Sequence, residues 1–211
     1  MNAQIADRSG VEAGQTQGCE GAEGSDVFAS APAGLRRVVL VGFMGAGKTT
    51  IGRLLAERLG WEFLDLDAYI ESRAGESVRE IFAVHGEPHF RRLESGALAS
   101  ALGRSHVVLA LGGGTPETLT NRLLLEQTPG TATVFLDAPF PALFDRCMLQ
   151  ALNGPDGETA RPLLADPAAA EARFAARQPV YRRLARITLP TADLTPKEAA
   201  SLLVTRLQRG R

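Results

Sequence analysis

Apolar positions fall into short continuous runs, separated by segments in which they recur every three or four residues. Residues 38–41 (Val-Val-Leu-Val), 107–111 and 132–136 are apolar over the length of a strand, as strands buried on both faces are. Residues 61–67 read as a further strand ending in two acids, Asp65 and Asp67, whose carboxylates then share a side. Residues 187–189 read as a short fifth strand. Between these runs the spacing is helical. Ile51, Leu54, Leu55 and Leu59 predict a helix that stops at Gly60. Residues 68–73 predict a short helix ended at Gly75. Ser77 and Glu80 form a capping box that opens a helix through Ile81, Phe82 and Val84. Gly86 breaks it, and residues 87–102 predict another. Pro116 opens a helix to about Gln127, and Pro141 opens one through Leu143, Phe144 and Arg146. Residues 168–185 are helical apart from Pro179. Thr195 and Glu198, with Pro196 at the first helical position, cap a last helix carrying Ala199, Leu202, Leu203 and Leu207.

Two stretches lack this order. Residues 1–34 are rich in Gly, Ala, Ser, Glu and Gln without periodicity, which predicts a disordered tail before a single domain over 35–211. Over about 148–167 the pattern dissolves into turn residues, Asn153-Gly154-Pro155-Asp156-Gly157 among them. A loop of that length in a compact domain often serves as an active-site lid.

Strands alternating with helices predict an α/β fold, a parallel sheet covered on both faces, with ligands gathering beyond the carboxyl ends of the strands. Three features lie at such ends: the Asp65/Asp67 pair, the triplet Gly112-Gly113-Gly114, and a loop Gly42-Phe43-Met44-Gly45-Ala46-Gly47-Lys48-Thr49-Thr50. The loop fits G-x-x-x-x-G-K-[ST] and sits between a strand and a helix, the context that gives this motif its meaning. Its glycines let backbone N–H groups turn inward around a phosphate, at the positive end of a helix. Lys48 brings a charge to the outer phosphates and Thr49 a hydroxyl to Mg²⁺.

Composition narrows the classes. The chain has 211 residues, 45% of them apolar, and a net charge of −1, so no broad basic surface for nucleic acid is indicated. Its two cysteines, Cys19 and Cys147, make neither a disulfide framework nor a metal cluster and suit a reducing compartment. No apolar stretch approaches the length of a membrane span, and no secretory signal is visible. A GTPase would carry D-x-x-G and N-K-x-D downstream of the loop, and neither is present there. Asp137, ending an apolar strand, rivals Asp65 and Asp67 as a metal partner, but a strand-ending Asp is more often a cap.

Six motifs in order complete the picture: the loop of residues 42–50, Phe63-Leu64-Asp65-Leu66-Asp67, Phe90-Arg91-Arg92-Leu93-Glu94, Gly112-Gly113-Gly114, Arg161-Pro162-Leu163-Leu164 and Arg177-Gln178-Pro179-Val180-Tyr181. Together they resemble the shikimate kinases over about residues 36–210. The resemblance implies a P-loop, nucleoside-monophosphate-kinase-like fold with a central five-stranded parallel sheet and a lid. It implies ATP-dependent phosphorylation of the 3-hydroxyl of shikimate, with Mg²⁺, in a cytoplasmic enzyme of aromatic amino-acid biosynthesis, expected as a monomer without nucleic-acid or membrane partners.

Carried over by position, Asp67 holds the shikimate hydroxyls and accepts the proton. Arg91 and Arg177 clamp the carboxylate, and Gly113 contacts the substrate through its backbone N–H. Asp65 and Thr49 hold Mg²⁺. Gly45, Ala46, Gly47, Lys48, Thr49 and Thr50 bind ATP, Arg146 stacks on adenine with Pro196 on its other side, and Arg161 on the lid reaches the transferring phosphates. The segment from Arg146 to Arg161 is several residues longer than is usual in the family.

The residues alone also admit plainer readings. Arg91 and Arg92 fit a solvated helix face paired with Glu94 or Glu87. Asp65 fits a helix cap, the glycine triplet a simple turn, and Cys147 packing. His85, His89 and His106 are scattered and carry no assigned role. A kinase for another hydroxy-acid such as gluconate, or a nucleotide-binding regulator without catalysis, are the rival functions.

Overall fold

The structure, a computed structural model, describes residues 31–153 and 166–209. Five strands form one sheet: β1 (Arg37–Val41), β2 (Glu62–Asp65), β3 (Val107–Ala110), β4 (Thr131–Asp137) and β5 (Ile187–Pro190). Their order is β2-β3-β1-β4-β5 and every pairing is parallel. Parallel neighbours need a crossover, and the helices supply it: α1 (Lys48–Leu59), α2 (Leu66–Ala74), α3 (Val78–Leu102), α4 (Leu119–Gln127), α5 (Phe140–Asn153), α6 (Pro167–Leu184) and α7 (Pro196–Arg209). α1 packs on α7 and on β2 and β3, while α3, α4 and α6 pack on one another in sequence.

β1 is the central strand and its five residues are all buried, with β3 on one side and β4 on the other. The Val-Val-Leu-Val run therefore has protein on both faces, which is why it carries no polar alternation. Each large apolar side chain so buried contributes roughly 1.5–3 kcal/mol. This rigid centre ends at Val41, and the phosphate-loop residues start at Gly42.

Several boundaries differ from the sequence expectation. β2 ends at Asp65, and Asp67 lies in the first turn of α2. Asp65 is the N-cap: its carboxylate accepts from the Asp67 N–H at 3.1 Å, so local capping ends the strand two residues early. The idea that both acids project from one strand is therefore corrected. The helix expected from Pro116 is a 3-10 turn over Thr115–Glu117, followed after extended Thr118 by α4. α5 runs on to Asn153, so residues 149–153 are helical where a loop was expected. The break at Gly86 stands: it has φ 77° and ψ 169° inside α3, a conformation open to glycine, and Pro88 follows it. α6 continues through Pro179.

The expected tail falls mainly on residues 1–30 and the expected lid, with Gly154 and Arg161, mainly on 154–165; both lie outside the described residues. No helix among the described residues is long and apolar enough to cross a membrane.

Candidate active site

The glycine loop joins β1 to α1, whose first residue is Lys48. Lys48 Nζ donates to the carbonyls of Gly42 (2.9 Å) and Phe43 (3.1 Å), so the ammonium folds back over the loop. Gly45, Ala46, Gly47 and Thr50 border a cavity of about 250 Å³ that Arg146, Leu149, Thr191, Leu194 and Pro196 close from the other side. Arg146 is held there by donating to the carbonyls of Thr191 (2.6 Å) and Ala192 (3.2 Å). Four of the expected nucleotide residues, Gly45, Ala46, Gly47 and Thr50, thus share one space with Arg146 and Pro196; Lys48 and Thr49 do not border it. An arginine and an apolar wall fit the two faces of a planar base.

At the base of α1, Thr49 Oγ1 donates to Asp65 Oδ2 at 2.9 Å. A hydroxyl and a carboxylate side by side are the hard oxygen donors that Mg²⁺ takes, usually with water and substrate phosphates completing its shell. Asp65 therefore does two things at once, capping α2 with one oxygen and meeting Thr49 with the other. Asp137, the rival, has its carboxylate engaged by α6, accepting from Gln178 Nε2 (3.3 Å) and Arg182 Nη2 (3.1 Å).

Asp67 lies between the phosphate loop and the glycine triplet. Burial, first, and then the nearby Asp65 and Glu94 charges push its carboxyl up to about 6, against a smaller opposing pull from Lys48. A β-carbon at Gly112 would lie 2.9 Å from Asp67 Oδ1 and 3.1 Å from Thr115 Oγ1. Glycine is needed here for space: the backbone runs against the carboxylate.

The two arginines meet on the far side of the triplet. Arg91, on α3, donates Nη1 to Glu94 Oε2 (2.9 Å) and both Nε (3.2 Å) and Nη2 (3.0 Å) to Glu87 Oε1. Glu94 is 1% exposed and also accepts from Thr115 Oγ1 at 2.6 Å. A buried carboxylate with both oxygens committed fixes the guanidinium it holds. Arg177, on α6, donates Nη2 to Glu117 Oε2 at 2.8 Å, and the same oxygen lies 3.9 Å from Arg91 Nη2. Arg177 Nε is buried with no partner among the described residues. A β-carbon at Gly114 would stand 2.8 Å from Arg91 Nη2, and one at Gly113 3.5 Å from Arg177 Nη1 and 3.9 Å from the Gly42 carbonyl. Tyr181 Oη donates to the Gly113 carbonyl at 2.5 Å, and burial pushes the Tyr181 phenol up.

Asp67, Arg91 and Arg177 therefore each lie against the glycine triplet, and the phosphate loop approaches it at the Gly42 carbonyl that Lys48 holds. Arg91 pairs with both of its candidate acids, Glu87 and Glu94. Arg161 lies outside the described residues. Three participants were not singled out from the sequence. Tyr181 belongs to the Arg177 motif without a role of its own there, although it sits one helical turn after Arg177. Thr115 and Glu117 follow the glycine triplet with nothing in type or spacing to mark them, and only the fold brings Glu117 to the arginines.

The family model described as shikimate kinase matches residues 44–208. A shikimate kinase of Thermobifida fusca is 43% identical over 171 residues, covering 80% of this chain and 93% of the relative. One of Symbiobacterium thermophilum is 39% identical over 174 residues, covering 81% and 95%. Among solved structures, a shikimate kinase from Acinetobacter baumannii in complex with shikimate superposes with a TM-score of 0.72 at 34% identity, covering 84% of this chain and 95% of that one. With more than half of the chain matched and the phosphate loop, acid pair and arginine pair in their expected order, the chain belongs to the shikimate kinase family.

Proposed function

We propose that this protein transfers the γ-phosphate of ATP to the 3-hydroxyl of shikimate, giving shikimate 3-phosphate and ADP. The observation that carries the proposal is the convergence of Asp67, Arg91 and Arg177 on the glycine triplet, next to Lys48. The solved relative from Acinetobacter baumannii is a complex with shikimate, which supports the same acceptor here.

The acceptor is a carboxylate-bearing polyol. Its carboxylate meets Arg91 and Arg177, whose planar forks give paired, charge-assisted hydrogen bonds. Anchored there, its hydroxyls reach back over Gly112–Gly114 to Asp67. The proton of the attacking hydroxyl passes to Asp67 as the oxygen bonds to the γ-phosphorus and the bond to the β-phosphate oxygen breaks. A carboxylate titrating near 6 is ionised at neutral pH yet more basic than an exposed one, which suits an acceptor. Lys48 and the loop N–H groups hold the phosphates of ATP, and Arg146 and Pro196 bracket the base. Arg161 is the residue we assign to the transferring phosphate. Phosphoryl transfer needs position and neutralised charge more than covalent help, and these groups supply both.

Thr49 and Asp65 are the residues that would hold Mg²⁺, which when bound neutralises charge on the phosphates. The proposal includes a monomer acting in the cytoplasm, checked by light scattering and by cell fractionation.

The test is direct. Protein, Mg²⁺-ATP and shikimate should release ADP and yield a phosphorylated acid visible by mass spectrometry. ADP no faster than without acceptor, or faster turnover of gluconate than of shikimate, contradicts the proposal.

A further inference from the structure

The arginine pair holds a carboxylate of its own chain. Glu117 Oε2 sits 2.8 Å from Arg177 Nη2 and 3.9 Å from Arg91 Nη2, bridging the two guanidiniums that the proposed function gives to the substrate carboxylate. Arg91 already has two other acids, Glu87 and Glu94, so Glu117 is not needed to balance it. The two kinds of acid differ in setting. Glu94 is 1% exposed and locked by Thr115, whereas the Glu117 side chain is 44% exposed and stands on a short 3-10 turn. Its backbone is fixed independently of the side chain: its N–H donates to the Gly114 carbonyl at 2.9 Å and its carbonyl accepts from Arg122 at 2.9 Å. The carboxylate can therefore leave the arginines by rotation alone.

We propose that Glu117 is an internal competitor for the arginine clamp, occupying it before the acid substrate arrives and swinging toward solvent when it binds. This rests on the reading of Arg91 and Arg177 as the carboxylate clamp. The competitor and the substrate present the same group to the same donors. Binding then exchanges one carboxylate for another, and the net gain is smaller than the contacts alone would give. Selectivity follows from the same charge. A second carboxylate elsewhere on a substrate would meet the displaced Glu117 side chain at the mouth of the clamp, so Glu117 disfavours dicarboxylic acids beside a monocarboxylic polyol.

Two variants separate competition from simple orientation of Arg177. In Glu117→Gln the amide oxygen still accepts from Arg177 without the charge, and in Glu117→Ala the contact is gone. Competition predicts that the KM for shikimate and the calorimetric Kd for shikimate without nucleotide both fall in each variant. The fall is about fivefold, the scale of a partly exposed ion pair, with kcat within twofold. Orientation predicts the wild-type KM for Gln and a raised KM for Ala, which would overturn the proposal, as would unchanged KM in both. Circular dichroism should match the wild type, showing that both variants fold, since the Glu117 side chain is exposed and holds no backbone group. If the wild-type protein neither binds nor phosphorylates shikimate, the proposed function itself fails, an outcome distinct from an unchanged KM.

Discussion

Replacing Asp67 with Asn should remove activity and at the same time make the protein more stable above pH 6. The carboxyl is raised from its ordinary 3.8 to about 6, by burial and then by Asp65 and Glu94. A tenfold change in proton affinity corresponds to ~1.4 kcal/mol, so keeping Asp67 ionised destabilises the native state by ~3 kcal/mol at neutral pH. The sign follows from proton counts. Between pH 4 and 6 the folded state still binds a proton at Asp67 that the unfolded state has released, so this stability falls as pH rises and is flat above 6. Asn carries no charge and escapes that loss. Urea unfolding at pH 8 should show Asp67→Asn more stable than wild type by ~2–3 kcal/mol, with the difference closing toward pH 4. Turnover should drop on the order of 100- to 10,000-fold, the range of a lost general base. The wild-type kcat/KM should fall below pH 6 as Asp67 takes up its proton. A variant that keeps full turnover would exclude Asp67 as the proton acceptor, and a stability difference that does not change with pH would exclude its raised titration.

Arg91→Ala should raise the KM for shikimate on the order of 100-fold while changing nucleotide affinity little, because its fork faces the acid site alone. The same change leaves Glu94 buried without its cation, and its unfolding free energy should drop by about 1–3 kcal/mol, read from denaturant melts. Gly112→Ala brings a methyl to 2.9 Å from Asp67 Oδ1. Shifting that carboxylate by a fraction of an ångström should lower kcat on the order of tenfold or more, with near-wild-type circular dichroism. Thr49→Val removes the hydroxyl that meets Asp65, and a Mg²⁺ titration of activity should show the requirement rise on the order of tenfold.

The sheet could be read from the chain because its strands are buried on both faces. Residues 38–41, 107–111 and 132–136 have no polar alternation to confuse with a helix, and glycine or an acid ends each. Boundaries were less legible where local hydrogen bonding competes with the apolar pattern. Asp65 turning back to cap Asp67 moved one acid from strand to helix, and Thr118 split the helix expected from Pro116. The helix of residues 140–153 outlasted the pattern because Met148, Leu149, Gln150 and Ala151 are good helix formers whatever faces they present. Within the site, residues tied to a motif could be named: Lys48, Thr49, Asp67, Arg91 and Arg177. Glu117 could not. One acid after Gly-Gly-Gly-Thr-Pro has no signature, and its meaning comes from a contact sixty residues away with Arg177. Tyr181 and Thr115 are similar, since each acts by holding another group, Gly113 or Glu94, through a bond that only folding creates.

Diffraction from a crystal grown with ADP, Mg²⁺ and shikimate tests the acid-clamp geometry most directly. The shikimate carboxylate should lie between Arg91 and Arg177, one ring hydroxyl within hydrogen-bond reach of Asp67, and the ADP phosphates in the loop of Gly45–Thr50. Shikimate density elsewhere, or with its carboxylate turned toward Lys48 and no hydroxyl near Asp67, would contradict that geometry.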